Sequence, residues 1–226
     1  MNDEQFDLDW PTIDKIGGWL AKEEARVLYI IASEVTGPIV EIGAWKGRST
    51  ATLGFASRNN PAHPLIYTVD PFTGSKEYRE LDPHCNTWDE FRENIESLHM
   101  FDIVRPYQMT SKEAYEKHFG AIGMLFIDGS HEYEDVKYDF VHWGSNVVKG
   151  GWICMHDYHW SGPNRVAREL VIVVVFFCVI VGIVILFSED YVFGLVIICC
   201  FDINGLCYIF CLVVDWFVVL YLVECV

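Results

Sequence analysis

Residues 39–50, IVEIGAWKGRST, contain the turn around which the chain is organised. The apolar run IVEI is typical of a short buried strand, Gly43 and Gly47 bracket the turn, and a helix is predicted from about Arg48. Glycines at such a turn let a ligand approach the backbone, and the helix start offers free N–H groups. The spacing differs from the dinucleotide fingerprint and from a P-loop. A ligand-binding turn and a plain tight turn therefore both stay open.

Strands and helices alternate on either side of this turn. Residues 19–35 have apolar positions at helical spacing, and Gly37-Pro38 ends that helix. The further predicted strands are LIYTVD (65–70), DIVRPY (102–107), MLFID (124–128) and WICMHD (152–157), and the further predicted helices cover about 48–57, 87–99, 111–119 and 133–146. This alternation predicts an α/β, Rossmann-like doubly wound sheet, mostly parallel, with helices on both faces and an antiparallel last strand.

The composition divides the chain into three parts. We expect a helical segment over 1–36, a core domain over 37–170 and an atypical apolar tail over 171–226, which contains no Lys or Arg. The tail is interpreted in three ways: it completes the sheet, it forms a membrane hairpin, or it is not the natural sequence. Its first apolar run is short for a membrane span and lacks flanking basic residues, so we favour the first interpretation.

The charge balance limits the kinds of partner that the protein is expected to bind. The formal net charge of −16 argues against nucleic-acid binding, which needs a basic surface, and leaves a small-molecule substrate as the expected partner, with a homo-oligomer as an open alternative. The N-terminus is acidic and lacks the apolar core of a secretory signal. The eight cysteines show no disulfide or zinc spacing and are interpreted as reduced thiols. We therefore expect a cytoplasmic protein.

Acidic residues end three of the predicted strands. In an open parallel sheet, ligands bind beyond the carboxyl ends of the strands. Asp70 ends the second strand, where a carboxylate can accept hydrogen bonds from ribose hydroxyls, although a lone Asp there is more often a turn residue. Asp128 and Asp157 end the fourth and fifth strands and are expected to lie together, where their repulsion favours a cation such as Mg²⁺.

Four blocks in order, VEIGAWKGRST, YTVDPF, LFIDGSHEYEDVKYDF and GGWICMHDY, together resemble class I S-adenosylmethionine-dependent methyltransferases. The resemblance covers about residues 37–170. It is closest to the bacterial branch that includes the macrocin O-methyltransferases and the cephalosporin-hydroxylase-like proteins. It implies S-adenosylmethionine as cofactor, bound by residues of the strand ends: Glu41, Gly43, Gly47, Ser49, Asp70, Thr110, Ser111 and Asp128. Within this set, Asp70 would contact the ribose, and Thr110 and Ser111 would lie near the adenine.

The same resemblance implies a metal site with one departure. Metal-dependent relatives carry a further carboxylate just before the last one, and here that position is His156. A site of Asp128, His156 and Asp157 suits Mg²⁺ less well than a site of carboxylates alone, and it favours Mn²⁺. The alternative is that Asp128 bonds loop amides and Asp157 contacts only cofactor or substrate.

The catalytic base is a second departure. Relatives that methylate a sugar hydroxyl carry an Asp at the position of Ser130, and serine cannot take the proton. His131 follows directly and has an unperturbed pKa near neutrality, so it is the first candidate for the base, with His159 the second.

The expected function is therefore O-methylation of a small-molecule hydroxyl, assisted by a divalent metal. Three alternatives remain: a nucleotide-dependent oxidoreductase, a hydroxylase relative, and a non-catalytic or membrane-associated protein that retains the fold. The missing dinucleotide fingerprint argues against NAD.

Overall fold

The computed structural model describes residues 2–117, 119–169, 193–202, 205–214 and 217–222. The helices are α1 (Asn2–Ile13), α2 (Lys22–Ala32), α3 (Arg48–Asn59), α4 (Lys76–Leu81), α5 (Trp88–Ser97), α6 (Ser111–Tyr115), α7 (Tyr133–Gly144) and α8 (161–169). The strands are β1 (Ile39–Ile42), β2 (Ile66–Val69), β3 (Val104–Tyr107), β4 (Ile122–Ile127), β5 (Val147–Met155), β6 (Phe193–Asp202), β7 (Gly205–Val214) and β8 (Phe217–Leu222).

The strands form one sheet in the order β3-β2-β1-β4-β5-β8-β7-β6. Strands β1 to β5 pair in parallel, with Glu41 beside Thr68 of β2 and beside Phe126 of β4. The order reverses between β1 and β4, because β2 and β3 lie on one side of β1 while β4 and β5 lie on the other. This reversal opens a crevice at the carboxyl ends of β1 and β4.

Alternate residues of the central strands pack into two cores on opposite faces. Ile39, Phe126 and Cys154 contact the helices α2, α3 and α5, whereas Val40 and Ile127 pack toward α7 and α8. Both faces of β1 and β4 are buried throughout, as a parallel sheet covered on two sides requires. The predicted doubly wound α/β class is confirmed.

The last part of the sheet differs from the expectation of a single antiparallel strand. β8 pairs antiparallel with β5, and β7 and β6 continue the sheet by further antiparallel pairing. The chain direction therefore reverses from β6 to β7 and again from β7 to β8. Residues 171–192 of the predicted tail lie outside the described residues. In the described part of the chain, no helix is long and apolar enough to cross a membrane.

Three helices were not predicted individually: α1, which lies inside the expected helical segment over 1–36, α4 and α8. α1 is acidic, but Phe6 and Ile13 are fully buried, and Tyr29 of α2 donates a hydrogen bond to Asp9 (2.7 Å). α4 has only six residues and buries none of them. Their short or mostly polar sequences give little apolar periodicity, which is why the pattern did not indicate them.

Candidate functional site

The glycine turn after β1 packs directly against the end of β4. Gly43 has φ +89°, and a Cβ atom there would overlap the backbone carbonyl of Asp128. Gly47, at φ +95°, is the N-cap residue of α3. Glycine adopts these conformations without strain, so Gly43 brings the turn against the end of β4, and Gly47 brings it against Phe91 and Ile95 of α5.

Asp70 organises this turn from the end of β2. Its Oδ2 accepts hydrogen bonds from the backbone N–H groups of Ala44 (2.7 Å) and Trp45 (2.9 Å), and its Oδ1 accepts one from Phe72 (2.5 Å). Burial raises the pKa of this carboxyl, and the three amide bonds oppose that shift. Three of roughly four acceptor positions of the carboxylate are thus used within the protein. Asp70 therefore shapes both loops at the site.

Glu41 is fully buried beneath the turn. Its Oε2 accepts hydrogen bonds from the hydroxyls of Thr50 (2.6 Å) and Thr68 (2.9 Å), whereas its Oε1 has no hydrogen-bond partner among the described residues. Burial raises the pKa of Glu41 to about 7, against the opposing effect of the neighbouring Ser49, Thr50 and Thr68 hydroxyls. A buried, unsatisfied carboxylate oxygen is costly, and it marks a position where a ligand donor would be favourable.

Asp128, His156 and Asp157 converge at the ends of β4 and β5. One ligand atom from each residue can be chosen so that all lie within 4.8 Å of one another. His156 Nδ1 lies 3.1 Å from Asp128 Oδ1 and 3.4 Å from Asp157 Oδ2. Burial disfavours the charged imidazole, but the surrounding carboxylates outweigh it and raise the pKa of His156. In this structure the histidine therefore supplies counter-charge to the two carboxylates, whose predicted convergence is observed.

Glu24 of α2 completes this cluster from the other end of the chain. Its Oε2 lies 3.1 Å from His156 Nε2 and accepts a hydrogen bond from the backbone of Ala21 (2.8 Å). The side chain is only 5% exposed. Glu24 was not predicted as a site residue, because it is one of two acidic residues in the first turn of α2 and lies 132 positions from its partner.

His131 is held by two carboxylates and an aromatic ring. Its Nε2 lies 2.8 Å from Asp157 Oδ2, its Nδ1 lies 3.4 Å from Glu77 Oε2, and its ring stacks on Trp160 at 4.4 Å. Burial alone would lower the pKa of His131, but Asp157 and Glu77 reverse this and raise it. His159, the second predicted base, is more exposed, and its Nδ1 lies 3.8 Å from Asp157 Oδ1.

A small cavity opens beside these groups. It is lined by apolar side chains from β4, β5, α7 and α8 and by polar groups of the strand ends, among them Asp128, Ser130, His131 and Asp157. The hydroxyl of Ser130 donates to Asp135 (3.2 Å) and accepts from the backbone of Glu132. Ser130 therefore stabilises the loop, and the polar groups that face the cavity come from the carboxylates and His131.

The short helix α4 spans the mouth of the site. Glu77 reaches His131, Lys76 pairs with Glu132 (2.8 Å), and Tyr78 packs edge-on against Trp45 at 4.6 Å. α4 thus bridges the glycine turn after β1 and the loop after β4.

The model of a methyltransferase domain family matches residues 40–158, which is more than half of the 226-residue chain. The chain belongs to this methyltransferase family. The match contains the glycine turn, Asp70, Asp128, His131, His156 and Asp157. The resemblance to class I methyltransferases that the sequence indicated is confirmed.

Solved structures agree with this methyltransferase fold. The O-methyltransferase NovP is 14% identical with a TM-score of 0.62, over 92% of this chain and 84% of its own. An O-methyltransferase from Bacillus cereus in complex with SAH is 13% identical with a TM-score of 0.56, over 99% and 92%. A SAH-bound methyltransferase from Podospora anserina is 10% identical with a TM-score of 0.57, over 98% and 88%. At these identities the likeness establishes the fold.

Two residues predicted near the adenine are engaged elsewhere in the methyltransferase structure. Thr110 is the N-cap of α6: its hydroxyl oxygen accepts a hydrogen bond from the backbone N–H of Glu113 (3.3 Å), and the Glu113 carboxylate accepts one from the backbone N–H of Thr110 (2.9 Å). Ser111 donates its hydroxyl to the buried Asp139 of α7 (2.5 Å). Both side chains therefore have structural partners, and their contact with a cofactor stays a prediction.

Proposed function

We propose that this protein is an S-adenosylmethionine-dependent O-methyltransferase that acts on a hydroxyl of a small-molecule acceptor with the help of a divalent cation. The observation that carries the proposal is the convergence, at one crevice, of the unsatisfied Glu41 Oε1 beside a glycine turn and of the Asp128, His156 and Asp157 cluster. The first half of this arrangement suits the methyl donor, and the second half suits a metal ion.

The donor site is proposed at the ends of β1 and β2. Glu41 Oε1 lacks a donor, and the amino group of the methionyl moiety would supply one. Gly43 and Gly47 carry no side chain at the two ends of the turn, Ser49 is a neighbour of Glu41, and Asp70 accepts a hydrogen bond from the turn. Two relatives of the same fold are bound to SAH, the form of the donor that remains after methyl transfer, which supports this assignment. When bound, the donor supplies an electrophilic methyl group on a sulfonium.

The metal site is proposed at Asp128, His156 and Asp157. Two carboxylates and one imidazole fit Mn²⁺ better than Mg²⁺, since imidazole is a softer ligand than oxygen. The three donors already face one another, and Glu24 bonds the outer nitrogen of His156, as is usual for a histidine that binds metal. When bound, the cation supplies Lewis-acid activation of the acceptor hydroxyl.

His131 is proposed as the base that removes the proton of the acceptor hydroxyl. Asp157 lies 2.8 Å from Nε2 and fixes the ring, which leaves Nδ1 as the atom that accepts the proton. Glu77 lies 3.4 Å from Nδ1 and belongs to α4, which buries none of its residues. Because Glu77 lies beside the nitrogen that would accept the proton, its side chain would have to move away when the acceptor binds. His159 is the alternative base, on the opposite oxygen of Asp157.

The acceptor is proposed to be small and not strongly anionic. The chain carries a net charge of −16, and the groups that border the cavity include the carboxylates of Asp128 and Asp157. Like charges would repel a polyanionic substrate at this edge of the sheet.

The experiment is a calorimetric titration of the full chain with SAH and with NAD⁺, each after chelation with EDTA and again with Mn²⁺ or Mg²⁺ restored. We expect SAH binding under all conditions and no NAD⁺ binding. A transfer assay with a panel of hydroxylated acceptors should then require the restored metal. SAH binding together with full methyl transfer in the chelated protein would show that the cation is not needed, and His131 would then act as the base without it. SAH binding without transfer to any acceptor would favour a non-catalytic role.

A further inference from the structure

The contact between Glu24 and His156 joins the N-terminal helical segment to the proposed metal site. Glu24 stands in the first turn of α2 and is almost fully buried, at 4% exposure. Its Oε2 accepts the backbone N–H of Ala21 and lies 3.1 Å from His156 Nε2. The helix start fixes the carboxylate, and the carboxylate in turn contacts the imidazole.

This contact decides which ring nitrogen of His156 is directed at Asp128 and Asp157. Nε2 points to Glu24, so Nδ1 is the nitrogen that points to Asp128 and Asp157. A carboxylate accepts the N–H of a neutral imidazole and thereby places the proton on that nitrogen and the lone pair on the other. In the metal-free protein Nδ1 carries a proton as well, which faces the two aspartates. If a cation replaced that proton, Glu24 would keep the proton on Nε2, and the lone pair of Nδ1 would be the one available to the ion.

We infer that Glu24 is a positioning residue that fixes the ring orientation and the tautomer of His156, so that Nδ1 is presented to the proposed metal ion. The inference rests on the proposed function, since it assigns the ion to the same cluster. Glu24 lies outside residues 40–158, the part that the family model matches. The segment before the matched domain thus contributes a residue to the site, which the domain sequence by itself does not contain.

The inference is tested by Mn²⁺ binding, measured by electron paramagnetic resonance on the full chain without donor or acceptor. Loss of a carboxylate that orients a metal-binding histidine typically weakens the metal by about 10–100-fold, and we expect this for Glu24→Ala. Glu24→Gln retains an oxygen that accepts from Nε2 and should stay within about threefold of the wild type, because the tautomer is preserved. Glu23→Ala removes an exposed acid from the same helix turn and serves as the matched control. Equal affinities of Glu24→Ala and Glu23→Ala would overturn the inference.

A second readout needs no metal, and its first measurement is made on the wild-type protein. In the chelated wild-type protein, nitrogen-edited NMR of the histidine rings should show a slowly exchanging proton on His156 Nε2, because Glu24 accepts it in a buried position. This proton should be retained in Glu24→Gln and lost in Glu24→Ala. An unprotonated Nε2 in the wild type would refute the role of Glu24. Failure of the wild type to bind Mn²⁺ would instead refute the proposed metal, and the ring proton would still decide whether Glu24 positions His156.

Discussion

Asp139 of α7 offers a prediction whose size follows from its surroundings. The side chain is 2% exposed, its Oδ1 accepts the hydroxyl of Ser111 at 2.5 Å, and burial raises its pKa from 3.8 to about 7. The nearby Asp135 adds to this rise, whereas Lys112 opposes it. The folded protein therefore holds a proton on Asp139 over a pH range in which the unfolded chain has released it.

The sign of the effect follows from this difference. Between pH 3.8 and about 7 the folded state binds more protons than the unfolded state, so the free energy of unfolding falls as the pH rises through this window. Asp139→Asn removes the titration and keeps the oxygen that accepts from Ser111. The variant should be more stable than the wild type by up to about 4 kcal/mol at pH 8, and by roughly 1.5 kcal/mol at pH 5, because each pKa unit corresponds to about 1.4 kcal/mol.

The assay is urea unfolding of the wild type and the variant at pH 5, 6, 7 and 8. The difference between the two proteins isolates Asp139, since all other titrations cancel. Glu134→Gln, an exposed acid on the same helix, is the control and should show a flat difference. A stability difference for Asp139→Asn that does not grow between pH 5 and pH 7 would refute the raised pKa and the desolvation argument behind it.

Three further substitutions test the crevice. Asp70→Ala leaves three backbone amides without their acceptor and should cost about 2–4 kcal/mol in urea unfolding and weaken SAH in calorimetry, so unchanged values in both would contradict its role. Gly43→Ala places a methyl group against the Asp128 backbone at positive φ, which should destabilise the fold by at least about 2 kcal/mol; a wild-type melting temperature would count against the close packing. Glu41→Gln should bind SAH about 10–100-fold more weakly without loss of stability at pH 8, and equal calorimetric affinity would remove Glu41 from the donor site.

The sequence predicted the part of the fold that depends on local pattern. The apolar runs at β1, β2 and β4 and the glycine turn at Gly43 were sufficient, because strand alternation with helices leaves few topologies for a parallel sheet. The convergence of Asp128 and Asp157 followed from the same topology. Helix α4 and the apolar face of α1 were not predictable in this way, since neither has a long apolar period.

The sequence pattern did not predict the contacts of individual side chains. The contact of Asp70 with a ribose stays a prediction. Its hydrogen bonds from three backbone amides could not be predicted, because they depend on the exact path of two loops. Glu24 could be assigned only once α2 was packed against the sheet, because its partner is distant in the chain. His131 was identified by position, while its contact with Glu77 required α4 to cross the site.

The central claim is that the crevice at the ends of β1, β2 and β4 binds the methyl donor. The most direct measurement is calorimetric titration of the full chain with SAH, with Mn²⁺ present, for the wild type and for Glu41→Gln. We expect one SAH bound per chain and markedly weaker binding in the variant. Absence of SAH binding to the folded wild-type protein would contradict it.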